Sequence, residues 1–104
     1  MQLEIIFTKR VSAPESVLFR ELEGESVLLN VDSESYFGLD DVGTRMWLVL
    51  TESDSIQAAY DTLKDEYDVE PELLRRDLIE LIEKLSENGL VRIDDASAAQ
   101  HEKK

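Results

Sequence analysis

SYFGLDDVGTRMW, residues 35 to 47, changes its period in mid-stretch. Tyr36 to Leu39 are aromatic and apolar and suit a short strand. Asp40 suits the cap of a helix, and Asp41 its first turn, where the helix dipole favours negative charge. Beyond them Val42, Met46, Val49 and Leu50 fall on one helical face, with Trp47, the single tryptophan of the chain, beside them. Gly43 is a poor helix former, costing about 1 kcal/mol against alanine. Its expected use is to let the helix backbone approach the sheet closely. A strand of a few residues is thus joined directly to a helix start.

Towards the N-terminus the period stays at two. VLFREL leads into Glu23-Gly24, and SVLLNV follows; the glycine, free to take positive φ, fits a tight hairpin turn. Asp32 to Ser35 form a second turn cluster before the Tyr36–Leu39 strand. The expectation is a three-stranded antiparallel meander whose last strand is very short. LEIIF, residues 3 to 7, fits a further strand, docked or swapped with a partner, with Ala13-Pro14 as a break.

Towards the C-terminus the period is helical. A second helix is expected after Ser53, with Ile56, Ala59, Tyr60, Leu63 and Tyr67 on one stripe. A third starts at Pro71, which fits the first helical position, and stops at Gly89, with Leu90 reaching back to Leu85. Leu74, Leu78, Leu81 and Leu85 form its central stripe, flanked by Leu73 and Ile82. Ile79 lies further round, near Arg75 and Ser86, so the apolar face is wider than one core contact requires. Leu90 to Ile93 suit a closing strand, and the polar residues from Asp94 onward suit a disordered tail. The fold class expected is α+β and winged helix-turn-helix-like, a three-stranded antiparallel sheet packed on a three-helix bundle. The domain spans 14–93, with an N-terminal extension, 1–13, and a tail, 94–104.

The 104 residues suit one domain with one core. With no cysteine in the chain, disulfides and thiolate metal sites are excluded. His101 is the single histidine and falls in the expected tail, so a histidine-based catalytic pair is excluded. Gly24, Gly38, Gly43 and Gly89 are too scattered for a phosphate-cradling loop. Asp40-Asp41 and Asp94-Asp95 lack the ligand spacing of a calcium loop. The reading is a non-catalytic protein with no cofactor and no metal. Nothing reads as a secretory signal or membrane span, so a soluble cytoplasmic protein is expected, monomer or dimer.

The helix outline also invites a winged-helix DNA-binding regulator, whose third helix would enter the major groove. That helix carries Glu72, Asp77, Glu80, Glu83 and Glu87 against Arg75, Arg76 and Lys84, and the chain has a formal net charge of −13. Both oppose phosphate binding, so no nucleic-acid partner is expected. A meander has two open edges, and the Tyr36–Leu39 strand has no lysine or proline to blunt its own. If the third helix lies beside it, an extended peptide could add as a further strand, with Ile79 and Ile82 supplying apolar surface and Arg75 meeting an acidic residue. The competing reading makes Tyr36, Phe37 and Leu39 plain core and covers Ile79 with the N-terminal segment.

From VLFREL to the Gly89-Leu90-Val91 ending, residues 17 to 91, the chain resembles the PqqD family. The carrying features are the VLLN strand, the Tyr-Phe-Gly-Leu-Asp run, Gly43, Trp47, Tyr67-Asp68-Val69, Pro71, Asp77-Leu78, Leu81, Ile82, Leu85 and Gly89-Leu90. Asp40 replaces the more usual asparagine, and both cap helices; Met46 stands where a β-branched residue is common. The resemblance implies a recognition element that binds the leader segment of a ribosomally made precursor peptide between the third strand of the meander and the third helix. Such a protein presents the leader to a modifying enzyme, a radical S-adenosylmethionine protein in the pyrroloquinoline quinone pathway or a leader peptidase in lasso-peptide pathways. Carried over by position, the peptide-binding residues are Ser35, Tyr36, Phe37, Gly38 and Leu39 on the strand, with Arg75, Leu78, Ile79 and Ile82 on the helix. Gly43 and Trp47 are implied to be structural. A third possibility is a pathway protein that binds its enzyme partner without recognising the peptide.

Overall fold

The computed structural model describes residues 7–95. The chain order is β1 (Lys9–Ser12), β2 (Val17–Leu22), β3 (Glu25–Asn30), β4 (Ser35–Leu39), α1 (Asp41–Glu52), α2 (Ile56–Glu66), α3 (Pro71–Glu87) and β5 (Arg92–Asp95). β2, β3 and β4 form an antiparallel meander in that order, and β1 pairs with β5 in a separate two-stranded sheet. The expected α+β fold, a three-stranded antiparallel sheet with three helices, is therefore the one observed.

Local chemistry sets the meander. Glu23 and Gly24 both take positive φ, 56° and 87°, which gives a two-residue hairpin turn whose twist matches the strands it joins. Register then follows, with Leu22 opposite Glu25, Phe19 opposite Leu28 and Val17 opposite Asn30. β4 continues it, Leu28 facing Phe37 and Ser26 facing Leu39. Side chains alternate across the pleat. Val17, Phe19, Leu28, Phe37 and Leu39 face the helices, while Leu18, Leu22, Val27 and Tyr36 are exposed on the other face.

The β4–α1 junction follows the sequence expectation closely. Asp40 is extended, and its carboxylate accepts from the Gly43 amide at 2.8 Å. A Cβ on Gly43 would meet Leu39 Cδ2 at 3.2 Å and Asp40 Oδ1 at 3.3 Å, so the glycine permits the helix start to sit against the end of β4. One pin is not visible in the hydrophobic pattern: the hydroxyls of Ser26 on β3 and Thr44 on α1 share a buried hydrogen bond of 2.7 Å. Trp47 is buried and stacks on Phe19, ring centroids 6.1 Å apart. Val42, expected on the apolar face, is exposed, and the inward position in this first turn is taken by Thr44, two residues on.

The core gathers Leu28, Leu39, Met46, Trp47, Val49, Leu50, Ile56, Ala59, Leu63, Leu74, Leu78, Ile82 and Leu85. Tyr60 and Tyr67, expected on the α2 stripe, are half-buried at its margin. α3 ends as expected: Gly89 has φ 69°, the Gly89 amide donates to Ser86 O at 3.1 Å, and the Leu90 amide donates to Leu85 O at 2.9 Å. These are the two bonds of a Schellman ending.

The chain ends depart from expectation. Residues 3 to 6 of the expected LEIIF strand lie outside the described residues, as does the tail from residue 96 with His101. Phe7 sits in a turn, and the strand lies further on, at Lys9–Ser12. Its partner is Arg92–Asp95 rather than Leu90–Ile93, with Val11 opposite Ile93 and Arg10 opposite Asp94. Leu90 and Val91 are buried ahead of the strand. β1 therefore lies wholly within the expected N-terminal extension, 1–13, and β5 runs across the expected 93/94 boundary. The reason is mutual: short polar strands such as KRVS and RIDD show no alternation of their own and become strands by pairing.

Arg45 on α1 and Glu66 at the end of α2 form an ion pair, Nε to Oε1 2.9 Å, with both side chains part-exposed. The hydrogen bond from Arg45 holds the Glu66 carboxyl below its usual value. A carboxyl whose value is lowered on folding stabilises above its unfolded value and loses that contribution as pH falls through the folded one. Unfolding free energies of the wild type and Arg45→Met from urea titration should differ by at most about 1 kcal/mol at neutral pH. The difference should vanish in acid once Glu66 is protonated. The Asn30 side-chain amide makes three hydrogen bonds, to the Asp32 and Ser33 amides and the Gly89 carbonyl, and Asn30→Ala should cost about 1–3 kcal/mol in chemical unfolding.

Candidate functional site

Of the two edges of the meander, β2 carries the exposed charges Arg20 and Glu21, which blunt it. β4 carries none, and its free edge faces α3. Between them lies a groove of about 410 Å³ lined by Phe37, Gly38, Leu39, Asp40 and Gly43 on one side and Asp77, Glu80, Leu81 and Lys84 on the other. One wall is thus backbone with unpaired amide and carbonyl groups; the other is a helix with one apolar and three charged side chains.

Asn30 fixes this arrangement. Its Oδ1 accepts from the Asp32 amide at 2.9 Å and the Ser33 amide at 3.3 Å, shaping the turn that leads into β4. Its Nδ2 donates to Gly89 O at 3.0 Å, holding the C-terminal end of α3. One nearly buried side chain therefore ties the start of one wall to the end of the other. At the far end of β4, the Asp40 cap and the Ser26–Thr44 pin hold Leu39 against α1.

The expected site residues divide. Ser35, Phe37 and Leu39 point inward, the first two half-buried and Leu39 buried; Tyr36 is 76 % exposed on the outer face, beside Gly38. A Cβ on Gly38 would meet nothing within 4 Å, so open space adjoins the strand there. On α3 the expectation needs correcting. Leu78 and Ile82 are fully buried core residues and offer no surface. Arg75 lies over the Phe7 ring at 4.7 Å, and the Phe7 carbonyl accepts from the Gln57 amide at 2.8 Å, so this side of α3 faces the N-terminal segment and α2. Half-buried Ile79, one turn on from Arg75, lies on that same side. Leu81, expected in the central core stripe, is half-buried and lines the groove. The helix is turned by part of a residue pitch from the expected orientation, because Ile82 rather than Leu81 completes the buried stripe. Asp77, Glu80, Leu81 and Lys84 line the groove without having been singled out from the sequence as contacts, although their spacing places them on one face of α3.

A larger hollow of about 700 Å³ lies on the outer sheet face, lined by Leu18, Arg20, Leu22, Val27, Leu29 and Gly38 among others. Its floor is the face of the paired strands, so it offers side-chain contact with little open backbone. Among the described residues, no three His, Cys, Asp or Glu side chains are grouped to hold a metal ion. No helix there is long and apolar enough to cross a membrane.

The class defined by these features is a small α+β domain of winged-helix outline with an open sheet edge set against a helix. Residues 25–91 match the family described as coenzyme PQQ synthesis protein D (PqqD), and the chain belongs to that family. Among solved structures it is similar to TbiB1 in complex with the TbiA(beta) leader peptide, with 30 % identity and a TM-score of 0.70, covering 78 % of this chain and 94 % of that one. It is also similar to a lasso peptide synthetase B1 complexed with the leader peptide, with 25 % identity and a TM-score of 0.68, covering 80 % and 98 %. No curated protein sequence matches.

The placement of α3 side chains has a direct consequence. Leu78→Ala should lower the unfolding free energy by about 2–5 kcal/mol, as for other buried leucines. Leu81→Ala, half-exposed in the groove, should cost clearly less in the same urea titration.

Proposed function

We propose that this protein is a non-catalytic binding protein that captures the leader segment of a ribosomally made precursor peptide and presents it to a modifying enzyme. The single observation that carries the reading is the unpaired edge of β4 lying across a groove from α3. An extended peptide added to that edge would form a fourth strand, its backbone supplying affinity. Alternate side chains would then point towards α3 or over the outer face beside Tyr36 and Gly38. The solved relatives, each complexed with a leader peptide, support the same use of the fold. The contact residues proposed are Ser35 to Leu39 on the strand and Asp77, Glu80, Leu81 and Lys84 on the helix. Leu78 and Ile82 support that wall from behind.

No catalytic step is assigned, because strand addition consumes the groove's hydrogen-bonding groups in recognition. The modifying enzyme, a radical S-adenosylmethionine protein or a leader peptidase, would supply the chemistry. Major-groove binding is disfavoured by the same helix, whose exposed side carries Glu72, Asp77, Glu80 and Glu87.

The test is titration of the protein, followed by the fluorescence of Trp47 or by amide NMR, with synthetic leaders from short reading frames beside its gene. Leu81→Glu should weaken leader binding by at least about tenfold, or about 1.4 kcal/mol, while the domain stays folded. Ile79→Glu, on the other side of α3, should leave it within about twofold. The reverse pattern would move the site to the Arg75–Ile79 side.

A further inference from the structure

The groove's two walls differ in chemistry in a way that the strand-pairing reading leaves open. On the α3 wall, Leu81 is the apolar member, and Asp77 and Glu80 are exposed carboxylates three residues apart, which makes them neighbours on the helix surface. Lys84 is the one cation of the lining. It forms no ion pair within 4.0 Å, and neither do Asp77 and Glu80: among the described residues that contact is made by Arg45 and Glu66. One ammonium cannot neutralise two carboxylates, and Asp40 adds a third at the end of β4. The lining is therefore a leucine beside three carboxylates and one ammonium, a net negative wall even with Arg76 one turn from Glu80, on a chain whose formal net charge is −13.

The spacing matters as well. Side chains on one face of an added strand recur every second residue, about 6.8 Å apart. Leu81 and Asp77 are four helical residues apart, an axial rise of about 6 Å. Two same-face side chains of a peptide can thus reach the leucine and the carboxylates together.

We infer that the peptide taken by this groove carries a lysine or arginine two residues from an apolar side chain, the apolar group seated on Leu81 and Phe37 and the cation against Asp77 and Glu80. This rests on the reading of the β4–α3 groove as a strand-pairing site and adds the chemistry of its ligand. A leader with an acidic residue at that position meets like charge on the α3 wall and is rejected.

The probe is a displayed library of short random peptides selected on the full-length protein, with each selected sequence re-tested on Leu81→Glu to confirm that it uses the groove. Groove-dependent peptides should be enriched in Lys or Arg over Asp or Glu, two residues from an apolar position, by about tenfold. The variant carrying both Asp77→Lys and Glu80→Lys should reverse that preference towards acidic residues. A control carrying Glu21→Lys on β2 and Asp65→Lys on α2 changes the net charge by the same amount and should keep the basic preference. Groove-dependent peptides without charge preference would overturn the inference while leaving strand capture standing. A reversal in the control as well would assign the preference to overall charge and overturn it too. Selection of peptides that Leu81→Glu does not affect would remove both the inference and the site on which it rests.

Discussion

Asn30 is the residue through which the two halves of the groove know one another's position. Its side chain closes the turn that delivers the chain into β4 and also holds the Gly89 carbonyl at the end of α3. An edge strand and a helix that merely share a core can slide; a nearly buried amide with three hydrogen bonds sets where one begins relative to where the other ends. Leaving those partners unpaired in a low-dielectric site is costly, which gives the geometry its stiffness. The opposite end of β4 is held independently, by the Asp40 cap, the absence of a side chain on Gly43 and the buried Ser26–Thr44 hydroxyl pair. The open strand is thus fixed at both ends and free along its edge. Such an edge suits recognition, since its amides are pre-ordered before a peptide arrives.

Much of this was legible in the residues. Glu23-Gly24 announced the hairpin, Asp40 the helix start, and Pro71 and Gly89 the limits of α3, because each answers a local backbone demand that few residue types meet. What local rules could not supply was the rotation of α3 about its own axis. Leu78, Leu81, Ile82 and Leu85 make a stripe that can be centred on Leu81 or on Ile82, and neighbouring elements decide which. The structure centres it so that Ile82 is buried and Leu81 faces the groove. That one choice moves the candidate helix contacts from Arg75, Leu78, Ile79 and Ile82 to Asp77, Glu80, Leu81 and Lys84. The β1–β5 pair escaped for a related reason: its partners are 80 or more residues apart in the chain, as in the pairing of Arg10 with Asp94, and neither strand has a periodic pattern of its own.

The acidic composition takes on a local meaning in the same light. Spread over a surface, carboxylates keep a small domain soluble. Placed beside Leu81 on the wall of a groove, Asp77 and Glu80 would meet a bound peptide at close range and, on the proposed reading, discriminate among peptides by charge. Backbone pairing alone accepts any extended chain. Selectivity has to come from the helix, and in this protein the helix offers an apolar seat and negative charge.

The most direct measurement of the central claim is amide hydrogen exchange of the protein with and without a bound leader. Strand addition requires the outward amides of Ser35 to Leu39 to acquire acceptors from the peptide. Exchange should slow at alternate residues of β4, with β2 unaffected. Saturating leader binding with unchanged β4 amides, or with protection along the Val17–Leu22 edge instead, would contradict it.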